Sequence, residues 1–264
     1  MATLKSVSEF SAYLPTLLSY LHNECFNFEA GRVSKFLPTW KTLTHDPEIL
    51  TTITGAHIEL DSIPEPPKRR TALFTEKEQA VIETEIKNLL PKKVLEFDTP
   101  EPGQIISPIF LIPKPDGTYR MILNLKHFNN YVTYRHFKMD TLSTIMQLMS
   151  PKCFMASLDL KDAYYSIPIA PQDRKYLRFQ FNGQLLQYTC CANGLSICPR
   201  LFTKVLKPAL TMLHKMGHIA MAYIDDIYVQ GVDLDSCSKA LIDAIAIFTK
   251  LGFIIHPSKS VFMP

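Results

Sequence analysis

Four consecutive residues, Tyr223, Ile224, Asp225 and Asp226, constrain this chain more than any other stretch. They lie between two short alternating apolar runs, residues 219–222 and 227–229, and a glycine follows at Gly231. Alternation interrupted in this way is the pattern of a β-hairpin, which places the two acids at its tip. Carboxylates held together on a mostly buried hairpin repel each other and resist ionisation, and a bound divalent cation would offset that cost. A solvated polar turn is the simpler reading of the pair taken alone, so the rest of the chain has to decide.

The 264 residues are enough for one large core or two lobes, and 47% apolar with 20% charged residues is ordinary for a globular protein. The six cysteines, at 25, 153, 190, 191, 198 and 237, form no CxxC pair and no ladder of short spacings. Neither a zinc knuckle nor a disulfide framework is expected, and a reducing, intracellular compartment (cytoplasm or nucleus) fits. No leader pattern and no apolar run of bilayer length is present, so no membrane association is expected. A formal net charge of +3 is too small to point to nucleic acid by itself.

Residues 1–60 read as an N-terminal extension with a helical pattern from Val7 to about Leu21, an aromatic turn at Phe26 and Phe28, and a second pattern near Trp40. No chemistry is assigned to it. Residues 61–106 begin as a proline-rich, then basic connector ending in Lys68, Arg69 and Arg70. Thr75 and Glu78 then form a capping-box pattern that opens a helix through Leu89, closed by Pro91. From 107 the chain turns to strands. Asp116 and Gly117 between two apolar runs predict a hairpin with Lys114 and Arg120 on either side of its turn, two cations of the kind a triphosphate needs. Met139, Leu142, Ile145, Met146 and Met149 have the spacing of a helix with a core-facing stripe.

A strand from Cys153 ends at Asp159, where a rigid scaffold meets a loop; an acid there suits an active site and equally suits a helix cap. Asn182 and Gly183 turn a further hairpin, and a long helix follows from Pro199 to Gly217 with Pro208 expected to kink it. Residues 235–251 read as an amphipathic helix stopped by Gly252, and residues 253–256 as a strand leading to Lys259. The order predicts an α+β fold with an antiparallel sheet packed on helices, bringing Asp159 and Asp225 together from different strands. Strand alternation makes Asp225 the principal partner and Asp226 auxiliary unless the tip bends. Two metals about 3.5–4 Å apart at such acids would activate a 3′-hydroxyl and stabilise leaving pyrophosphate.

At these residues the sequence resembles a known family. SLDLKDAYYSIPI at 157–169 and YIDD at 223–226 are similar to the catalytic motifs of retroelement reverse transcriptases, and IFLIPKPDGTYRMILNLKHFN at 109–129 to their fingers hairpin. NGLSICPRLFTKVLKP at 193–208 and LGFIIHPSKS at 251–260 continue the match in family order over 107–264. The wording is most similar to the DIRS group of tyrosine-recombinase retrotransposons, with gypsy-like elements the nearer alternative. The resemblance implies a right-hand polymerase with fingers and palm in 107–264, copying an RNA or DNA template from a primer with deoxynucleoside triphosphates and two Mg2+ ions, for which Mn2+ can stand in. It implies that Asp159, Asp225, Asp226 and the Leu160 carbonyl hold the metals. Lys114 and Arg120 would hold the triphosphate, with Asp162, Ala163, Asn193 and Gly194 lining the nucleotide site. Tyr164 falls at the aromatic gate that excludes a 2′-hydroxyl, and Lys259 at the position that protonates pyrophosphate. A solvated lysine is the alternative reading of Lys259.

The chain departs from the family at three places. Ala192 and Asn193 precede Gly194 where Pro-Phe-Gly or Pro-Gln-Gly is usual, Cys198 replaces a small residue, and Pro115 stands where many relatives have a second lysine. The shorter Asn193 implies a looser nucleotide pocket. The chain also ends at Pro264 without a thumb, which leads to an expectation of low processivity. A catalytically inactive, retroelement-derived module that binds nucleic acid or protein is the main rival reading. A two-metal nuclease is the second, and it would need neither the gate at Tyr164 nor the clamp at Lys114 and Arg120.

Overall fold

The computed structural model describes residues 7–67, 74–113, 117–139 and 142–263. Three helices open the chain: α1 (Val7–Phe26), longer than the pattern predicts, then α2 (Leu37–Leu43) and α3 (Pro47–Gly55). The Asp46 carboxylate accepts the Glu48 N–H and starts α3, with Pro47 in the first turn where a missing N–H costs nothing. After the connector, of which Lys68, Arg69 and Arg70 lie outside the described residues, comes α4 (Glu76–Leu89). Its capping box is complete: Thr75 accepts the Glu78 N–H and Glu78 accepts the Thr75 N–H.

Among the described residues the strands fall into three small antiparallel sheets. β1 (Leu95–Phe97) pairs with β6 (Gln184–Tyr188), which pairs in turn with β5 (Arg178–Phe181). Asn182 and Gly183 join β5 to β6 with φ of 47° and 77°, the two positive values that a right-twisting two-residue hairpin demands. β2 (Ile109–Pro113) and β3 (Tyr119–Leu123) form the second hairpin, with Ile112 opposite Arg120. β4 (Phe154–Asp159), β7 (Ile219–Tyr223) and β8 (Asp226–Gly231) make the third sheet in the order β4-β8-β7.

α6 (Cys198–Lys215) and α7 (Leu234–Lys250) pack on this third sheet, burying Leu201, Phe202, Val205, Leu206 and Leu213 from one and Leu241, Ala244, Ile245 and Phe248 from the other. Pro208 lies within α6 without ending it. The N-terminal helices share this core. Trp40 is fully buried and its indole donates to the Leu251 carbonyl at 3.0 Å, while Arg200 and Lys204 of α6 hold Glu48 of α3. One apolar cluster therefore runs from Phe10 to Phe262.

Two expectations fail. α5 (Leu142–Leu148) is only two turns long, and two positions of the expected stripe are not core: Met146 is 63% and Met149 38% exposed. Residues 253–256 form no strand. They make a single bridge, Ile255 to Leu160, and the chain then loops out before it pairs with the same edge again at Val261. All six cysteines are free, and among the described residues no helix is long and apolar enough to cross a membrane.

Candidate active site

The antiparallel register of β4 and β8 puts Asp159 directly opposite Asp226. The Leu160 N–H donates to the Asp225 carbonyl at 2.8 Å, so the Asp159–Asp226 pair belongs to the narrow, non-hydrogen-bonded class in which side chains approach most closely. Tyr223 pairs with Asp226, leaving Ile224 and Asp225 as the two turn residues. Ile224 has φ of 55°, a left-handed conformation that a β-branched residue adopts only under strain. That bend lifts the alternation rule. Asp226 is the cross-strand neighbour of Asp159, and Asp225 joins them from the turn.

The acids feel one another. Burial pushes the Asp225 carboxyl above its ordinary range, and the charge of Asp159 adds to the push, while Lys259 and Arg120 act against it. Asp226 is raised in the same way by burial, then by Asp225 and Asp159. Lys259 Nζ stands 3.6 Å from Asp159 Oδ2, and with the lysine side chain 61% exposed the pair contributes little to stability. The His256 ring is close by; burial holds it below its usual value, with Asp159 opposing.

The donor set of carboxylate oxygens suits a hard divalent cation rather than a soft one. No hydrogen bond from a described residue falls on the Leu160 carbonyl. As placed, no three His, Cys, Asp or Glu side chains among the described residues close into a metal cluster. The chemistry and the mutual repulsion of the acids fit a divalent cation; their spacing is more open than a filled site.

Arg120, on the second hairpin, is near enough for its charge to act on Asp225. Lys114 lies outside the described residues. Tyr164 stands edge-on to Phe202, with ring centroids 5.6 Å apart, and burial pushes its hydroxyl pKa up, with Cys198 and then Asp225 adding to the effect. The ring thus borders the acids. Asn193 Nδ2 donates to the Tyr165 hydroxyl at 3.2 Å, and the Gly194 carbonyl accepts from Asn129 Nδ2 at 2.8 Å. Gly194 has φ of 105°, and a Cβ there would sit 2.6 Å from the Leu123 carbonyl oxygen. Only glycine lets this loop lie against the base of the β2–β3 hairpin. Ala163 is buried, and the Asp162 carboxylate pairs with Lys92 at 2.9 Å.

Two further residues at the site, His256 and Ser260, lie inside the 251–260 motif, where the sequence pattern assigns them no role. Ser260 Oγ accepts the Asp159 N–H at 3.0 Å, and the His256 N–H donates to the Asp159 carbonyl at 2.8 Å. Neither shows up in periodicity or charge pattern; only the position of Ser260 beside Lys259 hints at it.

Comparison with known proteins gives this geometry a context. Residues 112–264 match the family described as reverse transcriptase (RNA-dependent DNA polymerase). The Pro-Pol polyprotein of Simian foamy virus type 1 is 25% identical over 154 residues, 58% of this chain and 13% of the relative. The Transposon Tf2-7 polyprotein of Schizosaccharomyces pombe is 25% identical over 155 residues, 59% of this chain and 12% of the relative. The chain therefore spans only about an eighth of the curated relatives it matches. Among solved structures, the native protease-reverse transcriptase of prototype foamy virus superposes with a TM-score of 0.69 at 23% identity, covering 80% of this chain and 27% of that one. The foamy viral enzyme solved with an RNA/DNA hybrid gives 0.67 at 23% identity, covering 77% and 26%. These likenesses establish a mixed α+β fold matching the fingers and palm of that enzyme.

Proposed function

The chain belongs to the reverse transcriptase (RNA-dependent DNA polymerase) family, and on that premise we propose that it is the fingers and palm of a retrotransposon polymerase that adds deoxynucleotides to a primer 3′-hydroxyl. The observation that carries this reading is the convergence of Asp159, Asp225 and Asp226 at one end of the β4-β8-β7 sheet. In this reading residues 107–264 are the polymerase domain, 61–106 the connector and 1–60 an extension, and the free thiols suit an intracellular setting. The wording of the motifs favours a DIRS-like source element, although the relatives named above are a foamy virus and a yeast transposon.

Asp159, Asp225, Asp226 and the Leu160 carbonyl would hold divalent ions, Mg2+ or Mn2+. When bound, such ions lower the pKa of the primer hydroxyl and neutralise charge on the phosphates. The chain's own residues do the rest. Arg120 and Lys114 bind the triphosphate oxygens. Tyr164, packed against Phe202, fills the space under the sugar and rejects a 2′-hydroxyl. The backbone of Asp162 and Ala163, with the Asn193–Gly194 turn, closes the nucleotide site. The primer hydroxyl gives its proton to water and its oxygen forms a bond to the α-phosphorus as the bond from that phosphorus to the bridging β-phosphate oxygen breaks, and Lys259 gives its proton to the departing pyrophosphate. An RNA or DNA template with its primer is the macromolecular partner.

Primer extension on an RNA template, comparing the parent chain with Asp225→Asn, tests this. Extension by the parent that the variant loses is expected. If a folded parent binds primer and template but adds no nucleotide, the chain is instead a binding module.

A further inference from the structure

The edge of the third sheet carries an irregularity at Asp159. Below it, Ser157 and Val261 exchange both backbone hydrogen bonds, at 3.1 and 2.8 Å. Above it, Leu160 bridges Ile255. The chain advances three residues on β4, from Ser157 to Leu160, while the facing segment runs back six, from Val261 to Ile255. Three residues are therefore looped out of the pairing, and Lys259 is one of them. In an unbroken ladder the Asp159 N–H would bond to the Lys259 carbonyl. The loop removes that acceptor, and an edge N–H left unpaired is costly.

We infer that Ser260 is a positioning residue whose hydroxyl replaces the missing carbonyl and thereby fixes both Asp159 and Lys259. Its oxygen accepts the Asp159 N–H at 3.0 Å and donates to the His256 carbonyl at 2.8 Å, closing the loop that carries Lys259. The His256 N–H returns the connection by donating to the Asp159 carbonyl at 2.8 Å. Both backbone groups of Asp159 are thus held from the side opposite Asp226. The same loop leaves the Lys259 ammonium out of the ladder and 3.6 Å from the Asp159 carboxylate. One hydroxyl satisfies the broken strand and sets the relation between the metal-binding acid and the proton donor.

The inference rests on the polymerase reading for its rates, and a second readout separates the two. Ser260→Ala removes the acceptor, and Ser260→Thr keeps it. Single-turnover incorporation should slow about 10- to 100-fold in Ser260→Ala, the loss expected for a misplaced reacting group. KM for the nucleotide should change little, and Ser260→Thr should restore the rate. In a Lys259→Ala background Ser260→Ala should cost less than in the parent, because the share of the loss that runs through Lys259 is already gone, whereas general loosening of the fold would cost the same in both. In the metal-free protein, amide hydrogen exchange at Asp159 should lose protection in Ser260→Ala and keep it in Ser260→Thr. Unchanged protection in Ser260→Ala, or lost protection with an unchanged rate, overturns the inference. If the parent chain adds no nucleotide the polymerase reading falls, and the exchange comparison alone decides whether Ser260 holds Asp159.

Discussion

Gly194→Ala measures how tightly the nucleotide-site loop is tied to the fingers hairpin. Two separate costs apply at this position. With φ of 105° an alanine would be forced into a conformation that costs about 1–3 kcal/mol. Its Cβ would also lie 2.6 Å from the Leu123 carbonyl oxygen, a backbone atom in β3 that no rotamer change can move aside. Forced shifts of this kind cost typically another 1–3 kcal/mol or so. Gly183→Ala is a control, since Gly183 has φ of 77° with nothing within 4 Å and so bears only the conformational cost. Urea unfolding should show Gly194→Ala less stable than Gly183→Ala by about 1–3 kcal/mol. On the proposed reading, in which the Asn193–Gly194 turn closes the nucleotide site, the contact bears on function as well, since the Gly194 carbonyl is held by Asn129. Gly194→Ala should therefore raise KM for the nucleotide while Gly183→Ala leaves it unchanged. Equal unfolding midpoints for the two variants would refute the close approach.

Arg178 is 3% exposed and binds Asp98, Glu101, Gln104 and Gln187, of which only Gln187 is buried, so Arg178→Met should cost about 1–3 kcal/mol by chemical denaturation. Hydrogen bonds from Lys204 and then Arg200 hold the Glu48 carboxyl below its ordinary 4.5, so its contribution is present above that value and is lost as pH falls through the lowered one. Glu48→Gln should accordingly lower Tm at neutral pH, with the gap to the parent closing in acid; a gap constant with pH would contradict the pairing of α3 with α6. Tyr164→Ala should let ribonucleotides compete with deoxynucleotides, read as the ratio of kcat/KM for the two, and an unchanged ratio would remove Tyr164 from the gate.

Local chemistry was legible wherever it is written in adjacent residues. The capping box of Thr75 and Glu78, the Asn182–Gly183 turn and the alternation around Asp225 each specify their own conformation, and each is observed. What depends on distant partners was not. The stripe at α5 has helical spacing, which does not say what packs against it, and Met146 and Met149 are exposed. Trp40 reads only as a helical aromatic until Leu251, far along the chain, accepts its N–H. At the site, strand alternation correctly warned that Asp225 and Asp226 need a bend to converge. It gave no sign that Ile224 would supply it at positive φ, since β-branched residues avoid that region. Ser260 was invisible for a similar reason: its role exists only because the pairing slips beside it.

The central claim is that Asp159, Asp225 and Asp226 together form a site for divalent cations. Thermal unfolding of the parent chain and Asp225→Asn across a Mg2+ and Mn2+ titration tests it most directly, without requiring turnover. A ligand at a hundredfold excess over its Kd stabilises the fold by about 2.7 kcal/mol, which for a chain of this size is a Tm rise of roughly 5–10 °C. The parent should show a saturable rise of that order, and Asp225→Asn should lose most of it. A parent whose Tm does not move with either ion, or a variant that responds as fully as the parent, would contradict the account.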